Sequence, residues 1–244
     1  MMLDGRTILV SGAARGLGRE IARTCAKAGA RLVLADIDPA CAETAAAIGA
    51  RFIPVDLAEP DSIAALGKRI ADEVGVLHGL CNNAALATNV GGMGFEDISL
   101  DLWDRVMRIN VRGTWLMVKA CAPMLRASGT GRIVNVASDT ALWGAPRLLS
   151  YTASKGAVIS MTRSLAREMG PDRVGVTCVA PGILTTESTE YVPPARHKLY
   201  AEGRAVPGPQ GAEEITGTIA FLLSEAALTL TGQVLPVNNG FVFT

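Results

Sequence analysis

Histidine is scarce in this sequence, and its scarcity argues against two common kinds of catalytic site. Only His78 and His197 occur among 244 residues, so a histidine-based zinc site or a Ser-His-Asp triad has very little material. The five cysteines lie far apart and show no C-x-x-C or Cys/His ligand spacing. We predict reduced thiols in or near the core and no metal site.

The sequence also lacks an excess of charge of either sign. Lys plus Arg and Asp plus Glu both number 23, and no basic block is present, which argues against a nucleic-acid-binding surface. No apolar run is long enough to span a bilayer, and residues 1–6 lack a charged and apolar leader. We therefore expect a cytoplasmic protein with a small-molecule partner, no nucleic acid and no membrane attachment.

Short apolar runs alternate with helical patterns along nearly the whole chain, and the length suits one domain. Such alternation requires parallel strands with right-handed crossovers and helices on both faces of the sheet. We predict a three-layer, doubly wound Rossmann fold of the α/β class, with a seven-stranded parallel sheet, over residues 1–244. The predicted strands are 6–11, 31–35, 51–55, 76–81, 132–136, 174–179 and 234–237. The first predicted helix ends at residue 28, and the others span 39–48, 60–74, 100–125, 151–169 and 212–224.

A glycine-rich turn, residues 11–18, separates the first strand from the first helix. Its three glycines let the backbone turn sharply and approach a pyrophosphate at the helix N-terminus. Asp36 ends the second strand about where an acidic residue meets the adenosine ribose in dinucleotide folds. A carboxylate there repels a 2′-phosphate and favours NAD, whereas Arg15 favours NADP mildly; we give Asp36 more weight. The alternative is a loop that simply needs glycine.

Tyr151 lies four residues before Lys155, and Ser138 stands at the carboxyl end of a predicted strand. If residues 151–155 open a helix, the phenol and the ammonium point into the same space. A cation favours the phenolate, and lowering the tyrosine pKa by about three units takes roughly 4 kcal/mol. Such a phenol exchanges protons with an alcohol or a carbonyl near neutral pH, while Ser138 holds the substrate oxygen. The alternative is an exposed tyrosine with an ordinary surface lysine.

Two further features fall near the carboxyl edge of the predicted sheet, where open α/β sheets bind ligands. Asn83 and Ala84 follow the fourth strand, as part of a ligand site or of a plain turn. Asn110 lies in an apolar stretch of a predicted helix, so its amide is either satisfied locally or a ligand for water.

Residues 183–210 carry four prolines and several charges without sustained periodicity, which predicts a mobile, substrate-binding lid. Asp139 could read a second substrate hydroxyl or simply be solvated in its loop. The residues predicted to line a substrate pocket, rather than fill a core, are Ser138, Leu86, Trp143, Leu148, Leu149 and Tyr191.

Together these motifs resemble the short-chain dehydrogenase/reductase family over essentially the whole chain. Residues 11–18 are similar to its cofactor turn, with Ser where Thr is more usual, and residues 82–85 are similar to its Asn-Asn-Ala-Gly motif. Residues 238–240, Asn-Asn-Gly, depart from the usual Asp-Gly-Gly. The family's four catalytic positions are matched by Asn110, Ser138, Tyr151 and Lys155.

The resemblance implies that hydride passes between a substrate carbon and nicotinamide while Tyr151 moves the proton. Lys155 would also hold the nicotinamide ribose, Ser138 would orient the substrate oxygen, and Asn110 would anchor a water that relays protons. The predicted cofactor contacts are Gly12, Arg15, Gly16, Leu17, Gly18, Asp36, Ile37, Asp56, Leu57, Asn83, Ala84, Tyr151, Lys155, Pro181, Gly182, Ile183 and Thr186.

The leading interpretation is an NAD-dependent dehydrogenase or reductase for a small to medium, fairly apolar secondary alcohol or ketone. One alternative is 3-oxoacyl-carrier-protein reduction, favoured by Arg15 and opposed by Asp36 and the absence of a basic patch. Another is oxidation of a cis-dihydrodiol or a polyol, favoured by Asp139. A non-catalytic NAD-binding sensor is the third, and the intact tetrad opposes it. Helices 100–125 and 151–169 carry apolar residues on more than one face, and the resemblance implies that such helices pair across a two-fold axis. We therefore predict a homotetramer or homodimer.

Overall fold

The sheet is built from seven short strands, which a computed structural model describes together with the rest of residues 1–244. The strands are β1 (Thr7–Ser11), β2 (Arg31–Asp36), β3 (Arg51–Pro54), β4 (Gly79–Asn82), β5 (Arg132–Val136), β6 (Gly175–Pro181) and β7 (Val234–Val237). All pairs are parallel, in the order β3-β2-β1-β4-β5-β6-β7. The predicted seven-stranded parallel sheet is confirmed. The strand order reverses between β1 and β4, where a crevice opens at the carboxyl edge.

Helices lie on both faces of the sheet. They are α1 (Gly16–Lys27), α2 (Cys41–Ala47), α3 (Pro60–Glu73), α4 (Leu100–Met107), α5 (Thr114–Ala127), α6 (Thr140–Trp143), α7 (Leu149–Met169), α8 (Pro194–Gly203) and α9 (Glu213–Leu222). None of them combines the length and the apolar character needed to cross a membrane.

Alternate residues of the strands belong to two separate hydrophobic clusters. Leu9 packs with residues of α3 and α5, whereas its neighbours Ile8 and Val10 pack with residues of α1 and α9. Successive side chains of a strand point to opposite faces of the sheet, so a strand covered by helices on both sides is apolar throughout. The continuous apolar runs of the sequence follow from this burial.

The structure departs from the predicted secondary structure at three places, of which one is the short helix α6 (Thr140–Trp143) in the loop expected between Ser138 and Tyr151. The helix expected over 100–125 is divided into α4 and α5 by a π-helical segment, Arg108–Gly113, which contains Asn110. Within 183–210, α8 was not predicted; it begins with Pro194 in its first turn and buries only Tyr200. A helix with one buried side chain shows no apolar stripe in its sequence, because periodicity reports burial on one face. The mobility of 183–210 stays a prediction.

The turn between β1 and α1 is too tight for side chains at two of its glycines. A Cβ on Gly12 would lie 2.7 Å from the Cα atom of Ala84, and a Cβ on Gly18 would lie 1.9 Å from the carbonyl oxygen of Gly12. Gly12 also has a φ of 70°, in the left-handed region that glycine adopts without strain. The backbone of β4's exit loop therefore packs directly on the turn.

We expect Gly18→Ala to destabilise the fold by about 2 kcal/mol or more, because the added methyl group overlaps backbone that cannot move independently. Urea unfolding measures the loss. The matched control is Gly217→Ala in α9, where a Cβ meets nothing within 4 Å; it should stabilise by up to about 1 kcal/mol through helix propensity. Equal stability of the two variants would contradict the tight packing described for this turn.

Candidate active site

Ser138 and Lys155 are brought together at the carboxyl end of β5. The Ser138 hydroxyl oxygen is buried and accepts hydrogen bonds from the backbone N–H and the hydroxyl of Thr140, at 3.3 and 3.0 Å. The Lys155 ammonium donates to the carbonyl oxygen of Val136 at 2.7 Å. One strand end therefore supplies both the serine and the anchor for the lysine.

Tyr151 and Lys155 face the same space on α7, as their spacing predicts. The Lys155 Nζ atom lies 5.6 Å from the centroid of the Tyr151 ring. Lys155 is itself buried, and this burial lowers the pKa of its ammonium to about 8. The ammonium is therefore positively charged at neutral pH but close to its titration point.

The expectation that the phenol is acidified is wrong for the arrangement that the structure describes. Burial raises the pKa of Tyr151 well above its ordinary value, and the nearby Tyr191 and Asp139 raise it further. The Ser138 hydroxyl acts in the opposite direction. Desolvation exceeds the favourable contacts because the phenolate is a charge removed from water. The phenol is thus neutral at physiological pH in this arrangement.

Asn110 is satisfied locally by the residues around the π-helical segment. Its Oδ1 atom accepts from the Leu86 N–H at 2.7 Å, and its Nδ2 atom donates to the Leu86 carbonyl at 3.1 Å and to the Ser154 hydroxyl at 3.1 Å. The amide therefore joins the loop after β4 to α7, one residue from Lys155. Of the two interpretations of this amide, the local one accounts for its side-chain bonds, and a relay water at Asn110 stays a prediction.

The glycine turn is fixed on both sides by polar contacts. Asp36 accepts from the backbone N–H of Ala14 at 2.8 Å, so its carboxylate stands at the turn. On the other side, the Asn83 amide donates to the carbonyls of Ser11 and Gly12 at 3.1 and 3.0 Å. The Ser11 hydroxyl in turn accepts from the N–H groups that follow β4. The Ser11 side chain thus links the glycine turn to the loop after β4.

Other predicted cofactor contacts surround the same crevice. Ile37 leaves 68% of its surface exposed beside Asp36, and Asp56 accepts from the N–H of Ala58 at 2.8 Å at the end of β3. On the far side, the segment after β6 crosses the turn, where a Cβ on Gly16 would lie 3.1 Å from the Ser188 hydroxyl. The remaining predicted contacts are Arg15, exposed; Leu17, partly buried; Leu57, buried; Ala84, partly buried; Pro181, the last residue of β6; and Gly182, Ile183 and Thr186 along the segment after β6.

Arg19 is a residue of this crevice that the sequence analysis missed. Its guanidinium donates to the Glu187 carboxylate at 2.6 Å, which ties α1 to the segment over the turn. The two residues lie far apart in the chain, so no local pattern signals the pair. Because both side chains are partly exposed, the pair contributes little to stability, and its effect is to bring the two segments together.

Of the predicted substrate-pocket residues, Leu86, Leu148 and Tyr191 lie around the cleft, whereas Leu149 lies at the surface and Trp143 in an aromatic cluster. Leu86 and Tyr191 lie at the cleft: Leu86 contacts Asn110, and the Tyr191 hydroxyl donates to the carbonyl of Ala87. Leu148 packs toward Gly91 in the loop after β4. Leu149 is 45% exposed, while Trp143 packs against Tyr200 and Phe241 and donates its indole N–H to the Tyr200 hydroxyl at 3.1 Å.

The expectation that Asp139 is solvated in its loop is wrong, because the residue is fully buried. Its carboxylate accepts from the Tyr200 hydroxyl at 2.7 Å and from the Asn238 amide at 3.0 Å. Recognition of a second substrate hydroxyl by Asp139 stays a prediction. Burial raises its pKa to about 6, and the two hydrogen bonds oppose the shift. Tyr200 and Asn238, missed in the sequence, are its partners.

A glycine turn that faces a strand-end carboxylate, beside the group formed by Ser138, Tyr151 and Lys155, defines a nucleotide-dependent oxidoreductase of the α/β class. A family model described as enoyl-(acyl carrier protein) reductase matches residues 12–242. The chain belongs to the short-chain dehydrogenase/reductase family. It is an oxidoreductase that uses a nicotinamide cofactor and acts on alcohol or ketone substrates.

Several known proteins are similar over nearly the full chain. A 3-alpha-(or 20-beta)-hydroxysteroid dehydrogenase of Mycobacterium bovis is 33% identical over 98% of this chain and 90% of its own. A D-threitol dehydrogenase of Mycolicibacterium smegmatis is 34% identical, with 98% and 94% covered. The crystal structure of 3-ketoacyl-(acyl-carrier-protein) reductase from Brucella melitensis complexed with NADH has a TM-score of 0.90 at 30% identity, covering 99% of this chain and all (100%) of that one.

The raised pKa of Asp139 predicts a pH dependence of stability. The folded carboxyl keeps its proton up to about pH 6, whereas the ordinary value is 3.8, so the folded state is favoured by protonation. This contribution is complete below the unfolded pKa and is lost as the pH rises through about 6. Between pH 4 and 7 we expect the wild type to lose about 2 kcal/mol relative to Asp139→Asn.

Urea unfolding of both proteins at matched pH values measures this difference, because other titrating groups cancel in the comparison. The unfolding free energy of the wild type minus that of Asp139→Asn should fall steadily as the pH rises over the interval. A difference in unfolding free energy between the two proteins that stays constant from pH 4 to 7 would contradict the raised pKa of Asp139.

Proposed function

We propose that this protein is an NAD-dependent dehydrogenase/reductase for a small to medium, fairly apolar secondary alcohol and its ketone, with Tyr151 as general acid and base. A bound nicotinamide cofactor supplies the carbon that accepts or delivers hydride. The observation that carries the proposal is the position of Ser138, Tyr151 and Lys155 at the edge of the crevice that the glycine turn opens. The turn fits such a cofactor, because Gly12 and Gly18 leave backbone where side chains would otherwise stand.

Tyr151 handles the substrate proton. In the direction of ketone reduction its neutral phenol donates a proton to the carbonyl oxygen, and in the direction of alcohol oxidation its phenolate removes one. The phenolate that forms lies beside the Lys155 ammonium, whose Nζ atom the Val136 carbonyl holds in place. A fixed cation in a water-poor site stabilises a developing anion without the reorganisation that water requires.

Ser138 orients the substrate oxygen. Its hydroxyl oxygen already accepts two hydrogen bonds from Thr140, so its own proton is left to donate into the cleft. A hydroxyl that donates to the substrate oxygen stabilises the charge that develops there. Thr140 thereby sets the direction of the Ser138 donor.

The preference for NAD rests on Asp36. Its carboxylate is held at the glycine turn by the N–H of Ala14 and by that of Asp38 at 3.0 Å. A negative charge fixed in that position repels a 2′-phosphate and accepts from ribose hydroxyls. Arg15, the residue that favours NADP, is exposed and has no partner that fixes it at the turn.

The apolar substrate class rests on Leu86, Leu148 and Tyr191 around the cleft. A polyol is less favoured, since Asp139 is occupied by Tyr200 and Asn238, although D-threitol dehydrogenase is among the similar proteins. Reduction of a 3-oxoacyl carrier substrate is supported by the similar Brucella structure. It is opposed by the balanced charge of the chain, because an acidic carrier needs a basic surface.

We also propose that the protein is a homotetramer or a homodimer. Trp115 of α5 is 47% exposed and lines a surface depression with Met107, Val111 and Met161 of the neighbouring helices. Asp104, Arg108 and Arg112 also line it, and a surface that mixes exposed apolar and charged side chains suits a subunit interface. A second copy of the chain presents the same surface, as a two-fold axis requires.

We expect Tyr151→Phe to reduce turnover by at least about a thousandfold, because the variant has no proton to transfer. Its affinity for NADH, measured by fluorescence titration, should stay within about twofold. The matched control is Tyr191→Phe, which removes a hydroxyl from the same cleft but none from the proton path, and which should keep measurable turnover. Retained turnover in Tyr151→Phe would overturn the role, and binding of NADH without oxidation across a panel of ketones would favour a sensor.

We expect Asp36→Ala to shift the ratio of kcat/KM for NAD to that for NADP by at least about tenfold toward NADP. The reason is that the variant removes a charge of the same sign as the 2′-phosphate. Steady-state kinetics with both cofactors and one alcohol measure the ratio. Asp38→Ala, two residues away and exposed, is the control and should leave the ratio near the wild-type value. An unchanged ratio in Asp36→Ala would refute the assignment.

A further inference from the structure

Through its backbone and its side chain, Asp139 connects four parts of the protein at the back of the catalytic serine. Its backbone N–H, next in the chain to Ser138, donates to the carbonyl of Pro181 at the end of β6, at 2.9 Å. Its carboxylate accepts from Tyr200 of α8 and from Asn238, which directly follows β7. These are the side-chain donors that hold α8 and the C-terminal segment to the catalytic strand end.

An aromatic cluster extends this connection. The rings of Tyr200 and Phe241 stack with centroids 4.1 Å apart, and Trp143 of α6 meets both rings edge-on. The N–H of Phe241 donates to the Asn238 side-chain oxygen at 3.2 Å. Residues 238–241, which we name the C-terminal segment, therefore bind to α8 through the ring of Phe241 and to the loop after β5 through Asp139.

Burying this carboxylate is unfavourable in itself, as its raised pKa indicates. The nearest cation, the Arg204 guanidinium, lies over the Tyr200 ring, 5.6 Å from its centroid, and is bonded to the carbonyls of Gly208 and Ile183. The carboxylate thus has two neutral donors and no ion pair. A neutral residue in this position would cost less to bury. The stability of the fold therefore does not explain the carboxylate, whereas its contacts with Tyr200 and Asn238 do.

We infer that Asp139 is a positioning residue, which ties α8 and the C-terminal segment to Ser138 and so keeps the substrate side of the cleft closed. As a statement about catalysis the inference rests on the proposed function. The segment that precedes α8 carries Tyr191, whose hydroxyl donates to the Ala87 carbonyl across the cleft. With one end fixed at Ala87 and the other at Asp139, the segment spans the substrate side as a closed cover.

The nucleotide side of the crevice is held by different contacts. The glycine turn is fixed by Asp36 and Asn83, and neither residue bonds to Asp139. Gly182 does pack closely on the carboxylate, since a Cβ there would lie 3.0 Å from its Oδ2 atom. A substitution that keeps the shape of Asp139 preserves this packing, so it should change substrate affinity and leave NADH affinity in place.

The hydrogen bond between Asp139 and Asn238 offers a reversal test. In Asp139→Asn, two amide groups face each other where a carboxylate met an amide, and one donor loses its acceptor. Adding Asn238→Asp restores a carboxylate–amide pair with its polarity reversed, and the carboxylate at 238 can still accept from the N–H of Phe241. Tyr200→Phe is a second route, because it removes one donor and retains the stacked ring.

The first readout is native-state amide hydrogen exchange of residues 194–203 and 238–243, without substrate. We expect exchange about tenfold faster in Asp139→Asn and in Tyr200→Phe, the effect of losing one buried hydrogen bond, and a rate within about threefold of wild type in the double variant. The amides of α1 serve as the internal control and should not change. This measurement needs no turnover, so it stands even if no alcohol or ketone is found to react.

The second readout is steady-state kinetics on the substrate that reacts best. We expect the KM for that substrate to rise about tenfold in Asp139→Asn, with kcat and the Kd for NADH within about threefold, because a cover that is open part of the time lowers apparent affinity. The double variant should recover the wild-type KM.

Unchanged exchange at α8 in both single variants would overturn the inference. So would a loss of global stability with equal effects on KM, kcat and NADH affinity that the double variant does not rescue, since that is the result of a purely structural residue. If hydrogen exchange changes as expected and no turnover is found in any of the proteins, the positioning role of Asp139 is supported and the proposed function fails.

Discussion

The burial of an ammonium beside a phenol is the constraint on which the rest of this structure depends. Lys155 is buried, and desolvation lowers its pKa to about 8, while desolvation raises the pKa of Tyr151. Both groups are therefore pushed toward their neutral forms. Such a pair holds its geometry only if the surrounding backbone fixes it, and here the carbonyl of Val136 fixes the lysine. The contact between β5 and α7 is the structural condition for the chemistry.

The crevice beside this pair follows from the topology of the sheet. Because the strand order reverses between β1 and β4, the loops that follow these two strands separate and leave room at the carboxyl edge. The two loops remain linked at their base, where Asn83 bonds to the carbonyls of Ser11 and Gly12. The turn is thus shaped by its own glycines and also by a neighbouring strand, which no segment of sequence specifies alone.

The substrate side is assembled from parts of the chain that are distant in sequence. Residues from the loop after β4, from the segment around Tyr191, and from the C-terminal segment meet around Ser138. Their contacts are a few hydrogen bonds and one aromatic cluster, in contrast to the two large cores under the sheet. Regions with few buried apolar contacts open more readily than a core. We therefore expect the proposed substrate side to open more readily than the two cores under the sheet.

The sequence by itself determined the fold class and the spacing of the catalytic side chains. Strands covered on both faces are apolar throughout, and residues four apart on a helix share a face. The fold class and the catalytic spacing could therefore be predicted from short stretches of sequence. The positions of Gly12 and Asp36 could also be predicted locally, because each lies at the end of an apolar strand.

Tertiary structure alone decided the protonation of Tyr151, the division of the helix at Asn110, and the role of Asp139. Each depends on desolvation or on donors from distant segments: the shift at Tyr151 on burial, the π-helical segment on the Leu86 backbone, and the Asp139 carboxylate on Tyr200 and Asn238. Local sequence carries periodicity and spacing, whereas the water excluded from a site and the partners across it exist only once the chain has folded.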